Sequence, residues 1–400
     1  MINKSSSSNS SIRILIISPY HGGSHQAWAE GYLQFSQHDV QILTLPARFW
    51  KWRMHGGSVT LANKFLDKKY NDQIRLLTGL SDKTLPDVIF ATDMVDLTTF
   101  LALTRPHTSS LPVVLYMHEN QLTYPLPVDA GTGPMRRQRG ERDHHYSFIN
   151  YASMLAADRI LFNSRHHMDS LFKELFRFLK QFPDYNELNT IPALRGKSTI
   201  LPVGIDFQRF DAAKADKEGD AWPLILWNQR WEYDKNPEMF FEALYRIAEE
   251  GIPFRLALCG QNFRQRPIEF EEASNRLANH IVFQGYANDR QYARLLWEAT
   301  VTISTAEHEF FGISIAEAIY CRTFPVLPNR LSYPELIPPN YHQDCLYNTK
   351  EGLLRRIRRA LTQSAEVSAI TDELAKNVCQ FDWKIIAPRY DEFLSNMIRK

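Results

Sequence analysis

Short apolar runs recur along this chain, each ending in a polar loop and followed by a helical pattern. Ile12–Ser18 opens the series, and Val40–Leu45, Asp87–Ala91, Val113–Met117, Arg159–Asn163 and Thr199–Val203 continue it. Alternation of this kind predicts a mostly parallel sheet with helices over both faces. Gly204-Ile205-Asp206 closes the series, and the charged stretch Asp211–Ala221 reads as an exposed linker. The pattern then restarts with Pro223–Trp227, Arg255–Cys259, Ile281–Gln284, Val301–Ser304 and Pro325–Leu327. A last helical segment, Trp383–Ile398, follows a break at Phe381-Asp382, and the pattern leaves open whether it crosses back to the first domain. The predicted division is a polar tail at 1–11, a first α/β domain at 12–206, a second at 207–380, and a terminal helix at 381–400. Two doubly wound domains would face each other across a cleft, with ligands at the carboxyl ends of the strands.

The loops at those strand ends carry the candidate chemistry. Thr300–Ser304 leads into Glu309-Phe310-Phe311-Gly312 and then an apolar helical run holding Glu317. A helix starting near Gly312 directs unpaired N–H groups and its positive dipole end at whatever lies above the sheet, a setting suited to phosphate. Two solvated glutamates on an ordinary helix are the simpler alternative, but the run is apolar almost all round, and a carboxylate on a buried helix needs a partner. After Pro223–Trp227 come Arg230 and Lys235, with Asn236 as the expected N-cap residue before Pro237. Two cations at such a junction suit a diphosphate, while Glu232 and Asp234 offer them local ion pairs instead. His118-Glu119-Asn120-Gln121 follows Val113–Met117 directly and marks a site loop. Gly22-Gly23 sits in the first loop, where a tight turn needing positive φ accounts for the pair equally well. The absence of G-x-G-x-x-G argues against a dinucleotide enzyme.

Composition sharpens this picture. The chain has 400 residues, 44% hydrophobic and 12% aromatic, enough for two cores. Its formal charge of +1 gives no global field for nucleic acid, so local clusters must carry any such partner. Two clusters flank first-domain loops: Arg48, Lys51 and Arg53 interleaved with Phe49, Trp50 and Trp52, and Arg136, Arg137, Arg139 and Arg142. Such runs are usually solvated faces, though cations mixed with aromatics suit unpaired bases and phosphates. Arg355, Arg356, Arg358 and Arg359 lie on an amphipathic helix and read as surface. The four cysteines form no C-x-x-C pair, Asp143-His144-His145 cannot easily converge on one ion, and no metal is expected. The N-terminal stretch has no apolar signal segment, and no run reaches membrane-spanning length, so a cytoplasmic protein without a membrane anchor is expected.

These residues together resemble the GT-B retaining glycosyltransferases that carry an E-x7-E motif, a likeness covering both domains. ISPYHGGSHQAWAEGY, RFWKWRMHGG, MHENQLTYP, the segment from Trp231 to Glu238, and FGISIAEAIYC are similar, more narrowly, to the tRNA-queuosine α-mannosyltransferase family. The resemblance implies that Glu309 contacts the donor sugar and Glu317 the nucleotide ribose. It implies that Phe310, Phe311 and Gly312 cradle the diphosphate with Arg230 and Lys235. Gly22 and Gly23 would admit the donor, and His118 would sit at the sugar. It further implies GDP-mannose as donor, queuosine-modified tRNA as acceptor, retention of configuration, and no cofactor. Arg48, Lys51, Arg53, Arg136, Arg137, Arg139 and Arg142 would then meet the tRNA. Guanine would be read from Gly260–Phe263 and Gly285–Asn288. One departure is Arg322, where many relatives carry glycine. Another nucleotide sugar, a lipid or glycan acceptor, or a non-catalytic GT-B module are the alternatives.

Overall fold

The computed structural model describes residues 11–67, 85–125, 144–214, 222–260 and 268–398. Arg136, Arg137, Arg139, Arg142 and Gln261–Phe263 lie outside them. The architecture is two six-stranded, wholly parallel sheets with helices on both faces. The first sheet has the order β2-β1-β3-β4-β5-β6, built from β1 (Arg13–His21), β2 (Asp39–Pro46), β3 (Val88–Thr92), β4 (Val113–Met117), β5 (Arg159–Phe162) and β6 (Ser198–Ile200). The second has the order β12-β11-β10-β7-β8-β9, from β7 (Leu224–Trp227), β8 (Arg255–Cys259), β9 (Ile281–Gly285), β10 (Val301–Ile303), β11 (Phe324–Pro328) and β12 (Leu346–Tyr347). β3, β4, β7 and β11 are buried at every position, as covering both faces requires.

Most strand ends shift by a residue from the sequence pattern, and three departures are larger. β1 runs on through Pro19 to His21, because its edge pairs with Pro46 of β2 after a register shift. β6 stops at Ile200, two residues before Pro202, which has no N–H for the ladder. β12 is only two residues long, below what periodicity can detect. The helix Ile313–Tyr320 ends at Cys321, and Arg322 then takes φ 61°, a left-handed turn that glycine adopts more cheaply. Arg322 instead ion-pairs with Asp372 at 2.7 Å.

The terminal helix Trp383–Ile398 crosses to the first lobe. The outgoing and returning chains run side by side, with Ile205 N–H donating to Phe381 O at 2.8 Å and Trp383 N–H to Ile205 O at 3.1 Å. Trp28 Nε1 donates to Tyr390 Oη at 3.1 Å, and Tyr32 Oη to Asp391 at 2.7 Å. Trp383 is clamped against Gly31 and Gly204, where any β-carbon would overlap its ring. The carboxyl ends of both sheets are thereby held facing one cleft.

Candidate active site

The second lobe contributes the charged wall. Lys235 lies in the short turn Tyr233–Lys235 after β7, and Asn236 caps the next helix by accepting from Met239 N–H at 3.2 Å. Thr305 Oγ1 donates to Lys235 O at 2.9 Å, tying this loop to the one after β10. The buried Lys235 ammonium donates to His308 O at 2.8 Å and lies 3.2 Å from Asp234 and 3.4 Å from Glu309. Burial alone would lower its pKa, but Glu309 and Asp234 raise it, so the cation persists. Arg230 pairs with Glu232 at 3.2 Å, and its charge also acts on Tyr20 and Tyr124 of the first lobe. Both ion pairs anticipated as the alternative to a diphosphate role therefore exist, inside the cleft loop itself.

The turn at Gly312, with φ 94°, starts the helix Ile313–Tyr320. Glu309 Oε1 accepts from the N–H groups of Phe310, Phe311 and Gly312 at 3.1, 3.3 and 3.2 Å. The N–H groups assigned to a diphosphate are thus satisfied by the side chain assigned to a sugar. The reason is local: orphan donors at a helix start attract the nearest carboxylate. Burial raises the Glu309 pKa, but Lys235 and His308 outweigh that and hold it below the usual carboxylate value. Glu317 is buried and accepts from Arg209 at 2.5 Å and from Tyr292 Oη at 2.8 Å. Burial raises its pKa, with Arg209 opposing.

The first lobe contributes a neutral wall. Gly22 and Gly23 start the helix Gly23–Phe35, and a β-carbon on Gly22 would lie 2.5 Å from that of Ala47. Gly22 thus serves close packing of two loops, whereas Gly23, at φ 54°, has open space around it. His118 follows β4, with its backbone N–H donating to Asp93 Oδ1 at 2.9 Å and its Nδ1 3.4 Å from the same oxygen. His25 lies against it, ring centroids 4.3 Å apart. Burial holds His25 and His118 down at about 3, and pushes Asp93 up to about 6 and Glu119 up to about 8. His25, Asp93 and His118 place potential ligand atoms within 4.8 Å of one another, the one metal-type grouping among the described residues. It was not apparent from sequence, because His25 comes from the first turn of the helix Gly23–Phe35, and Asp93 and His118 from loops after β3 and β4.

Contacts between lobes close the cleft. His167 stacks on Phe310 with centroids 3.9 Å apart, Tyr233 Oη donates to Pro125 O at 2.8 Å, and Glu335 accepts from Arg165 and His166 N–H at 2.9 and 2.7 Å. Arg330 donates to Ala306 O at 3.0 Å and steadies the loop before Glu309. Arg48 and Lys51 are exposed at the carboxyl end of β2, and Arg53 donates to Pro46 O at 3.0 Å. Arg358 and Arg359 pair with Glu250 and Asp344, a structural surface as the sequence indicated. Sequence reasoning gave no role to His25, Asp93, Arg209, Tyr292 or Glu335, although His25 lies within the ISPYHGGSHQAWAEGY stretch.

Two parallel sheets facing across a cleft, with cations and a helix start on one wall, define a GT-B glycosyltransferase. The fold is shared with sucrose-phosphate synthase from Thermosynechococcus elongatus, at TM-score 0.67 and 14% identity over 97% of this chain and 99% of that one. A glycosyltransferase from Rickettsia africae aligns with TM-score 0.67 and 15% identity over 98% and 99%. Residues 13–205 match the family model for the tRNA-queuosine alpha-mannosyltransferase N-terminal region, and residues 208–378 match glycosyl transferases group 1. A tRNA-queuosine alpha-mannosyltransferase from Drosophila melanogaster is 29% identical over 395 residues, 96% of this chain and 97% of that protein. A GDP-mannose-dependent alpha-(1-6)-phosphatidylinositol dimannoside mannosyltransferase from Mycobacterium tuberculosis is 23% identical over 42% of this chain and 44% of that protein. The chain belongs to the tRNA-queuosine alpha-mannosyltransferase family.

Proposed function

We propose that this enzyme moves mannose from GDP-mannose to a hydroxyl of queuosine in a tRNA anticodon loop, with retention and without a metal. The observation that carries the chemistry is the buried Lys235 beside Glu309 and the helix start at Gly312. As the C1–O bond breaks, negative charge grows on the β-phosphate. Lys235, Arg230 and the N–H groups of Phe310–Gly312 stabilise it where the site excludes water. For that, the Glu309 carboxylate swings off the three N–H groups and accepts from sugar hydroxyls instead. Glu317, held by Arg209 and Tyr292, accepts from the ribose. His118 Nδ1 faces Asp93 Oδ1 at 3.4 Å, and Nε2, which has no protein partner among the described residues, accepts from a sugar hydroxyl. The mycobacterial relative's GDP-mannose dependence supports the donor, and the Drosophila relative's name supports the acceptor.

Among the described residues, no helix is long and apolar enough to cross a membrane, and we place the reaction in the cytoplasm. The test is incubation with GDP-mannose and queuosine-containing tRNA, followed by nucleoside mass analysis against queuosine-lacking tRNA. A hexose increment in the first alone is expected. No increment, with transfer to a lipid or glycan instead, overturns the acceptor.

A further inference from the structure

The short helix Trp50–Arg53, after β2, displays two large rings with no work in the core. Phe49 is 73% and Trp52 62% exposed. Burial ordinarily drives such rings inward, and the chain goes out of its way to hold these outward. Phe49 takes φ 52°, ψ 58°, a left-handed conformation that a bulky side chain adopts only when the surroundings impose it. Trp52 is pinned edge and face against Gly56, where a β-carbon would lie 2.3 Å from its ring, so the indole is ordered while most of it stays open. Trp50 packs on Tyr146 at 5.0 Å, and Lys51 Nζ lies 5.8 Å from the Trp50 ring and 5.7 Å from that of Tyr146. Met54 then plugs into a small core with Met94, Tyr146 and Ile149. Tyr20 packs on that core and also feels the charge of Arg230 in the cleft. The two rings therefore stand on a packed segment that meets the Gly22 loop through Ala47.

We propose that Phe49 and Trp52 form a stacking platform for unpaired bases of an RNA loop, with Arg48 and Lys51 on its phosphates. This rests on the tRNA acceptor reading and names the part of the first lobe that carries it. A base offers a flat π face to an ordered indole, and neighbouring cations meet the backbone. A membrane surface fits less well, because Trp50-Lys51-Trp52-Arg53 alternates ring and cation within four residues and leaves no continuous apolar face.

The test uses the full chain and a fluorescein-labelled RNA hairpin with a single-stranded anticodon-type loop, titrated at two salt concentrations. Trp52→Ala and Phe49→Asn should each weaken binding about tenfold with an unchanged salt slope, and Trp52→Phe should recover most of it. Asn tolerates the left-handed turn, so Phe49→Asn removes the ring without harming the fold. Donor affinity by calorimetry should match wild type in all three. Lys51→Ala should instead flatten the salt slope. If wild type modifies tRNA while Trp52→Ala and Phe49→Asn bind the hairpin as tightly as wild type, the platform falls and the acceptor reading stands. If wild type ignores the hairpin and tRNA alike, the acceptor reading falls with it. Trp52-dependent binding to phosphatidylserine vesicles, not displaced by the hairpin, overturns the platform in favour of a membrane.

Discussion

The two walls of the cleft handle polar groups in opposite ways. On the second lobe, the buried Lys235 ammonium lies 3.2 Å from the buried Asp234 and 3.4 Å from the half-buried Glu309. On the first, His25 and His118 are buried among Trp28, Tyr116 and each other, and stay neutral. The difference lies in which effect wins: at Lys235 two carboxylates outweigh desolvation, whereas at His25 and His118 desolvation outweighs Asp93 close by. Under the proposed function, the second lobe would meet a charged diphosphate and the first uncharged hydroxyls.

The strongest way to break this comparison is Lys235→Ala. It should lower kcat by about 10²–10³, some 3 kcal/mol, with donor KM changed far less. A variant that changed only KM would remove Lys235 from the transition state. Next come His118→Gln and Asp93→Asn. Each should cost about 1–2 kcal/mol in kcat/KM, and the double variant no more than the worse single one, since Asp93 acts through His118. Additive losses would separate the two residues.

A pH titration sharpens the contrast. The unfolded chain protonates histidine near 6.5, the folded one His25 and His118 only near 3, so their contribution is full above 6.5 and falls as pH drops. Glu119 and Asp93 oppose this: their folded values of about 8 and about 6 exceed unfolded values of 4.5 and 3.8, so they lose stability as pH rises. His166, His167 and His308 are held low by burial as well, so wild-type stability should fall as pH drops below about 6.5. Glu119→Gln removes one opposing group and should make that fall steeper in denaturant melts. A variant with the wild-type slope would refute the opposition.

The smallest expected effect is on the ribose side. Arg209→Ala should raise donor KM severalfold, about 1 kcal/mol, with kcat nearly intact, because the half-exposed Arg209 only holds Glu317. EDTA should leave turnover unchanged; loss of activity restored by a divalent ion would assign the His25–Asp93–His118 group to metal.

The chain's order of strands, and hence the loops that could form a site, was legible because hydrophobic periodicity is a local property. So were Glu309, Glu317, Arg230, Lys235 and His118, which sit at strand ends or on a helix too apolar to be exposed. What the sequence could not supply was partnership. Asp93 reaches His118 across 25 positions, Arg209 reaches Glu317 across 108, and Glu335 reaches Arg165 across 170. Nor could it show that Glu309 already satisfies the helix start at Gly312, or that Phe49 and Trp52 face outward. Such pairings depend on how sheets, crossovers and lobes pack in space. The tertiary structure alone decides which buried group finds an opposite charge and which must stay neutral.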